Sequence, residues 1–215
     1  MNFHIITLFP EVMEPYLKAS ILGRALENGK IKVYFHNPKD HVKDHKERAD
    51  GKPFGGGPGM VIRPEPVIKA ILKAKGKKKK VKIIFFDRKG KRFTNEYAID
   101  LSEKYKHIIL VSGRYEGIDA RVFEVFKEED IERVSIGPFI LTGGEIPALA
   151  VVDSVSRQVK GVLGDSDSLE EGRPAGRSVY TRPSSFTYKK KQYSVPAVLL
   201  SGHHAKIEKW RKRKG

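Results

Sequence analysis

The sequence predicts an α/β fold, a mostly parallel sheet with helices on its faces, followed by a small helical segment. Short apolar runs alternate with stretches of helical periodicity. Two of those runs, VKIIFF (81–86) and HIILVS (107–112), carry continuous apolar stretches over Ile83–Phe86 and Ile108–Val111, as strands covered on both faces do. Helical spacing appears between them rather than a hairpin signal, which favours parallel pairing.

Taken in order, FHIITLF (3–9) reads as a strand, and 10–29 as a helix stopped by Gly29. IKVYFH (31–36) is the second strand. PEPVIKAILKAK (64–75) is a helix that sets Val67, Ile68, Ile71 and Leu72 on one face. KGKKKK (75–80) reads as a solvated turn before the strand VKIIFF. TNEYAIDLSEKY (94–105) opens on a Thr94 cap and aligns Ala98, Leu101 and Tyr105. HIILVS and VSIGPFIL (134–141) complete the apolar strands. ALAVVDSVSRQV (148–159) then reads as a helix with Pro147 in its first turn. Residues 165–178 turn acidic and then rich in Gly, Pro and Arg, the composition of a linker. The basic helix AKIEKWRKRKG (205–215) follows and is too short to build a core of its own.

Charge narrows the class of partner. Lys and Arg number 42 against 26 Asp and Glu, a net charge of +16. A lysine-rich thermophilic surface would raise Glu in step with Lys, which this chain does not do. A polyanion is the expected partner, nucleic acid before membrane surface. No cysteine is present, which excludes disulfides and cysteine nucleophiles. No apolar run approaches a membrane span, and the N-terminus lacks a signal-peptide pattern, so a cytoplasmic protein is expected.

Three glycine-rich loops stand out: DGKPFGGGPGM (50–60), GRYEGID (113–119) and TGGE (142–145). None is a P-loop or a dinucleotide fingerprint. Two of them follow apolar strands, where ligands of parallel α/β sheets bind. Glycine there lets backbone approach a flat ligand closely. On the last helix, Asp153 and Arg157 stand four apart: either a surface ion pair, or an arginine free to stabilise charge on a substrate. In DSDSLEE (165–171), Asp167 with Glu170 and Ser168 with Glu171 have capping-box spacing, while a carboxylate there could also be a general base. HVKDH (41–45) reads as a polar loop rather than a metalloprotease motif. His203 and His204, adjacent in sequence, do not read as metal ligands.

The stretches LFPE, GRA, PFGGGPGM, LVSGRYEGIDARV, SIGPFILTGGEIPAL, DSVSR, GVLG, YTRP and VPAVLLSGHHAKIEKWR run nearly the whole chain in one order. Together they resemble the bacterial tRNA (guanine-N1)-methyltransferases of the SPOUT superfamily. The resemblance implies a SPOUT-type parallel sheet with a deep trefoil knot, plus a small mostly helical C-terminal domain. It divides the chain into a cofactor-binding domain (1–160), a linker carrying the base (161–176) and a tRNA-binding domain (177–215).

It also implies S-adenosylmethionine as methyl donor and admits Mg²⁺, with no residue assigned as a metal ligand. The cofactor residues would be Phe85, Phe86, Asp87, Gly113, Tyr115, Glu116, Gly117, Ile136, Gly137, Pro138, Phe139, Ile140, Leu141, Gly143 and Gly144. Asp167 would be the general base and Arg157 the group that stabilises charge on guanine O6. Asp50, Gly59 and Glu116 would contact the substrate. Gly143 and Gly144 would let the chain fold sharply around the cofactor and re-enter the core. The target implied is N1 of the guanine at position 37, just 3′ of the tRNA anticodon, and the assembly a homodimer with active sites between subunits.

The chain departs from that pattern in four places. DRKG (87–90) stands for S-P-Q-G, GPF (137–139) for G-D-Y, and Leu169 for Phe after the base. The sequence given stops at KWRKRKG (209–215), where the family pattern continues through another helical segment, which predicts a minimal tRNA-binding domain. The alternatives in view are a SPOUT enzyme modifying another RNA atom and a non-catalytic basic RNA-binding protein.

Overall fold

A computed structural model describes residues 1–44, 47–163 and 178–213. The chain divides into two compact units, Met1–Ser166 and Asp167–Gly215.

In the first unit, five parallel strands form one sheet in the order β2-β1-β6-β5-β7. They are β1 (Asn2–Ile6), β2 (Lys32–His36), β5 (Val81–Arg92), β6 (His107–Val111) and β7 (Ile131–Ser135). The short antiparallel pair β3 (Asp50–Gly51) and β4 (Val61–Ile62) brackets the first glycine-rich loop. Side-chain alternation sends Phe3, Ile5, Ile84, Ile108 and Leu110 to one face. There they pack on α1 (Glu14–Leu17), α2 (Ser20–Glu27), α4 (Asn95–Lys104) and α6 (Glu145–Arg157). Ile6, Ile83, Phe85, Ile109 and Val111 point the other way, onto α3 (Pro64–Lys75) and α5 (Arg121–Val125). Covering both faces explains why these strands read as continuous apolar runs.

Several expected elements take their predicted places. The helix 64–75 is α3, and Thr94 caps α4 by accepting a hydrogen bond from the Tyr97 N–H at 3.3 Å. Three readings need correction. The helix expected over 10–29 is broken into a 3-10 turn, α1 and α2, because Ala19 is extended and Ser20 adopts a left-handed φ of 50°. Leu72 is half exposed; Ala70 and Ala74 complete the buried face of α3 beside Val67 and Ile71. The strand expected to run to Leu141 ends at Ser135, and Phe139–Leu141 form an exposed loop. The lysine turn is partly structural: Lys78 donates to the carbonyls of Ala74 and Lys75, closing the end of α3.

The second unit holds a hairpin, β8 (Ser185–Tyr188) and β9 (Lys191–Ser194), which the sequence reading did not anticipate. The helices α7 (Ala197–Leu200) and α8 (His204–Arg213) follow, and the Tyr180 and Trp210 rings lie 6.3 Å apart.

A chain of imidazoles crosses three strands of the sheet. His4 Nδ1 lies 3.2 Å from His36 Nε2, and His4 Nε2 lies 3.3 Å from His107 Nδ1. Burial pushes the buried His4 down to about 4, helped by Lys78 and by the neighbouring imidazoles. Lys73 and His41 also bear on His36, and Lys78 and Lys106 on His107. The unfolded chain takes up the His4 proton near pH 6.5, but the fold resists it until about pH 4. Its neutral form therefore stabilises the fold fully above pH 6.5, and that contribution is lost as pH falls toward 4. The shift is worth roughly 3 kcal/mol. Thermal melts at pH 7.5 and pH 5 should show a marked drop for the wild type and a smaller one for His4→Gln. Equal drops would remove His4 as the cause.

Candidate active site

The carboxyl ends of β5, β6 and β7 lie side by side, and the loops leaving them line an open cavity of about 530 Å³. This is where open parallel sheets place ligands, and the volume suits a nucleoside-sized group.

The wall from β5 comes from a break in register. Phe86 and Lys91 both pair with Val134, so Asp87–Gly90 bulge out of the ladder. The DRKG departure occupies this bulge. Asp87 accepts from the Lys89 N–H at 2.9 Å and from Arg133 at 3.3 Å, and Arg88 joins the wall.

The other two walls meet each other. Gly144 N–H donates to the Gly113 carbonyl at 2.8 Å, and Ser112 Oγ donates back to the Gly144 carbonyl at 3.1 Å. Arg114 and Gly143 form an antiparallel bridge. A Cβ on Gly144 would lie 2.6 Å from Ser112 Cα, so only glycine permits this crossing. Gly144 has an ordinary φ of −84°, and Gly143 is not in the left-handed region either. The close approach of a second backbone requires Gly144, while the Glu145 and Arg114 side chains leave no room for a Cβ on Gly143.

Beneath the crossing lies a buried polar chain. Thr7 Oγ1 donates to Glu145 Oε1 at 2.9 Å, and Arg114 Nε stands 2.9 Å from Glu145 Oε2. That ion pair is close but not aligned as a hydrogen bond, which leaves Arg114 Nε and Glu145 Oε2 without one. The Arg114 guanidinium also lies over the Phe9 ring at 4.8 Å.

The first glycine-rich loop reaches the cavity through Glu116. Its N–H donates to the Met60 carbonyl at 3.0 Å, and its side chain fills the space over Gly59. Gly59 has a φ of +76°, and a Cβ there would lie 2.6 Å from Glu116 Oε1. Tyr115, also left-handed, lines the cavity. Asp50 receives a bidentate contact from Arg48, at 2.7 and 3.1 Å. That guanidinium holds the Asp50 carboxyl below its usual range, and a Tyr115 hydrogen bond adds to the effect.

Most of the expected cofactor residues come together. Phe86, Asp87, Gly113, Tyr115, Glu116, Gly117, Ile136, Gly137, Phe139, Ile140, Leu141, Gly143 and Gly144 line the cavity. Phe85 does not reach it, because its ring is buried against Phe123 at 4.4 Å. Pro138 is exposed and is not a wall residue. Arg157 ends α6 with a buried Nε that finds no hydrogen-bond partner among the described residues. Asp153 instead accepts a hydrogen bond from Tyr16, and no Asp153–Arg157 ion pair forms among the described residues. Asp167, Leu169 and the rest of DSDSLEE from Asp165 on lie outside the described residues, as does His45 of HVKDH. Sequence reasoning missed Glu145 and Thr7. An acid in the first helical turn reads as a partner of the helix dipole, which hides its buried pairing.

Gly144→Ala should destabilise the fold by about 1–3 kcal/mol, as overpacking of a tight contact does. Gly51→Ala, where a Cβ meets nothing within 4 Å, is the control. Equal urea midpoints for the two variants would contradict the crossing.

A family model described as tRNA (Guanine-1)-methyltransferase TrmD matches residues 1–215. A Clostridium perfringens protein named tRNA (guanine-N(1)-)-methyltransferase is 44% identical over 217 residues, covering 99% of this chain and 87% of that protein. Proteins of the same name from Ruminiclostridium cellulolyticum and Caldanaerobacter subterraneus subsp. tengcongensis are also 44% identical. Those matches cover 98% and 100% of this chain, and 89% and 86% of the relatives. With its glycine-walled cavity and a match from end to end, the chain belongs to the tRNA (guanine-1)-methyltransferase family.

Proposed function

We propose that the chain transfers a methyl group from S-adenosylmethionine to N1 of guanine 37 in tRNA, the nucleotide just 3′ of the anticodon. The observation that carries this reading is the glycine-rich cavity at the carboxyl ends of β5, β6 and β7. Lacking Cβ atoms, the glycines there let a nucleoside-sized ligand lie close against the main chain. When bound, S-adenosylmethionine supplies an electrophilic methyl on a sulfonium centre. The crossing of Thr142–Gly144 over Ser112–Arg114 supports a trefoil knot in this unit.

Neutral guanine carries a proton on N1 and is a poor nucleophile. As the N1–carbon bond forms and the sulfur–carbon bond breaks, that proton must pass to a base, and Asp167 is the carboxylate we assign. Negative charge builds on guanine O6 as the proton leaves. The buried Nε of Arg157, unpartnered among the described residues, suits that charge. A desolvated N–H without an acceptor costs about 1–3 kcal/mol, and a substrate oxygen would relieve it. Glu116 positions the substrate, and Asp50 with Gly59 reads the neighbouring base. Arg48 holds the buried Asp50 ionised.

Residues 161–176 act as the linker that brings the base, and 177–215 as a tRNA-binding domain. Val12, Tyr16 and Ile146 are each half exposed or more, which supports a second copy in a homodimer. No helix among the described residues is long and apolar enough to cross a membrane; work on tRNA places the chain in the cytoplasm in this reading. Among the described residues no group of three or more His, Asp or Glu side chains stands ready for a metal ion.

Labelled S-adenosylmethionine and an unmodified tRNA with guanines at 36 and 37 should give incorporation that an adenine at 37 abolishes. Incorporation into both would redirect the reading to another RNA atom. Asp167→Asn should cut turnover about a hundredfold or more while leaving cofactor affinity intact. Arg157→Ala should lower turnover by roughly 10²-fold. A change in melting temperature alone would make Arg157 structural.

A further inference from the structure

The hairpin β8–β9 is two-faced. Phe186 stands opposite Tyr193 and Tyr188 opposite Lys191, all on one side. The other side carries only Ser185, Thr187, Gln192 and Ser194. The Phe186 and Tyr193 rings stack at 5.4 Å with 15° between their planes. Phe186 and Tyr188 are each 59% exposed. Lys191 lies over the Tyr193 ring at 5.4 Å, and Lys189 over Tyr188 at 5.6 Å.

The tip is equally unusual. Lys189 and Lys190 form the two-residue turn, and both have positive φ, 47° and 62°. A turn of that kind favours Asn-Gly, which adopts these angles with less strain. Two lysines therefore occupy a position where they weaken the hairpin. Stacked exposed rings beside strained, protruding cations suit an RNA segment with unpaired bases. Bases stack on the rings, and backbone phosphates meet the lysines.

We propose that the Phe186–Tyr188–Tyr193 face binds unpaired nucleotides of the tRNA substrate, with Lys189 and Lys190 on its phosphates. This deepens the tRNA reading above and rests on it for the identity of the RNA. An anionic membrane surface is the competing occupant.

The test measures affinity of the full chain for unmodified tRNA across a salt series. The first variant is Lys189→Asn/Lys190→Gly, which should stiffen the turn while removing two charges. It should melt no lower than wild type, yet bind tRNA several-fold more weakly. Its slope of log affinity against log salt should flatten by about 0.7 per lysine lost. Tyr188→Ala should weaken binding roughly tenfold, and Tyr188→Phe should restore it. If the tip variant melts lower, the Tyr188 pair decides. Wild-type affinity in both the tip variant and Tyr188→Ala overturns the proposal. So does a loss confined to binding of phosphatidylserine-containing vesicles. The methyl-transfer assay separates the two readings. Wild-type transfer with unaffected hairpin variants sinks only the hairpin. Absent transfer with weakened variants sinks only the guanine 37 assignment.

Discussion

The site depends on one contact between two backbones. Gly144 lies against Ser112 and Gly113 so closely that no side chain fits between them. The loops after β6 and β7 are thereby locked to each other before any ligand enters. Their glycines, the bridge between Arg114 and Gly143, and the start of α6 all follow from that distance. Where two main chains lock in this way, few rotamers remain to be lost.

The same contact fixes the chemistry below it. Helix α6 begins at Glu145, immediately after the crossing, so its carboxylate points into the core rather than into water. Thr7 of the segment after β1 and Arg114 of the loop after β6 then meet it from two sides. A lone buried carboxylate would be costly. Held by both, it ties the carboxyl ends of two strands to the helix whose far end carries Arg157. Position of the arginine is thus inherited from the crossing through thirteen residues of helix.

Much of this was legible in the sequence, for identifiable reasons. VKIIFF and HIILVS are apolar on both faces because α4 and α6 cover one side and α3 and α5 the other. Thr94 and Pro64 mark helix starts by chemistry that is local. The cavity loops were recognisable as glycine-rich stretches after strands. Illegible features depended on distance in space. Nothing local says that Ser20 turns left-handed, or that Phe85 faces α5 while Phe86 faces the cavity. The alternation that decides this needs the register of the neighbouring strand. Phe139–Leu141 read as core because they are apolar, and only the ending of β7 at Ser135 shows them on the rim.

The imidazole chain across β2, β1 and β6 has a consequence best seen by counting hydrogens. Two nitrogen–nitrogen contacts engage four of its six ring nitrogens. Each contact holds one hydrogen, and the two outer nitrogens can hold one more apiece. Three neutral rings carry three hydrogens, so the chain accepts a single extra proton, on any of its members, with both contacts intact. A second proton sets two N–H groups head to head and severs a link between neighbouring strands. The first protonation therefore costs the burial of a charge but no link of the chain, whereas the next costs a link as well.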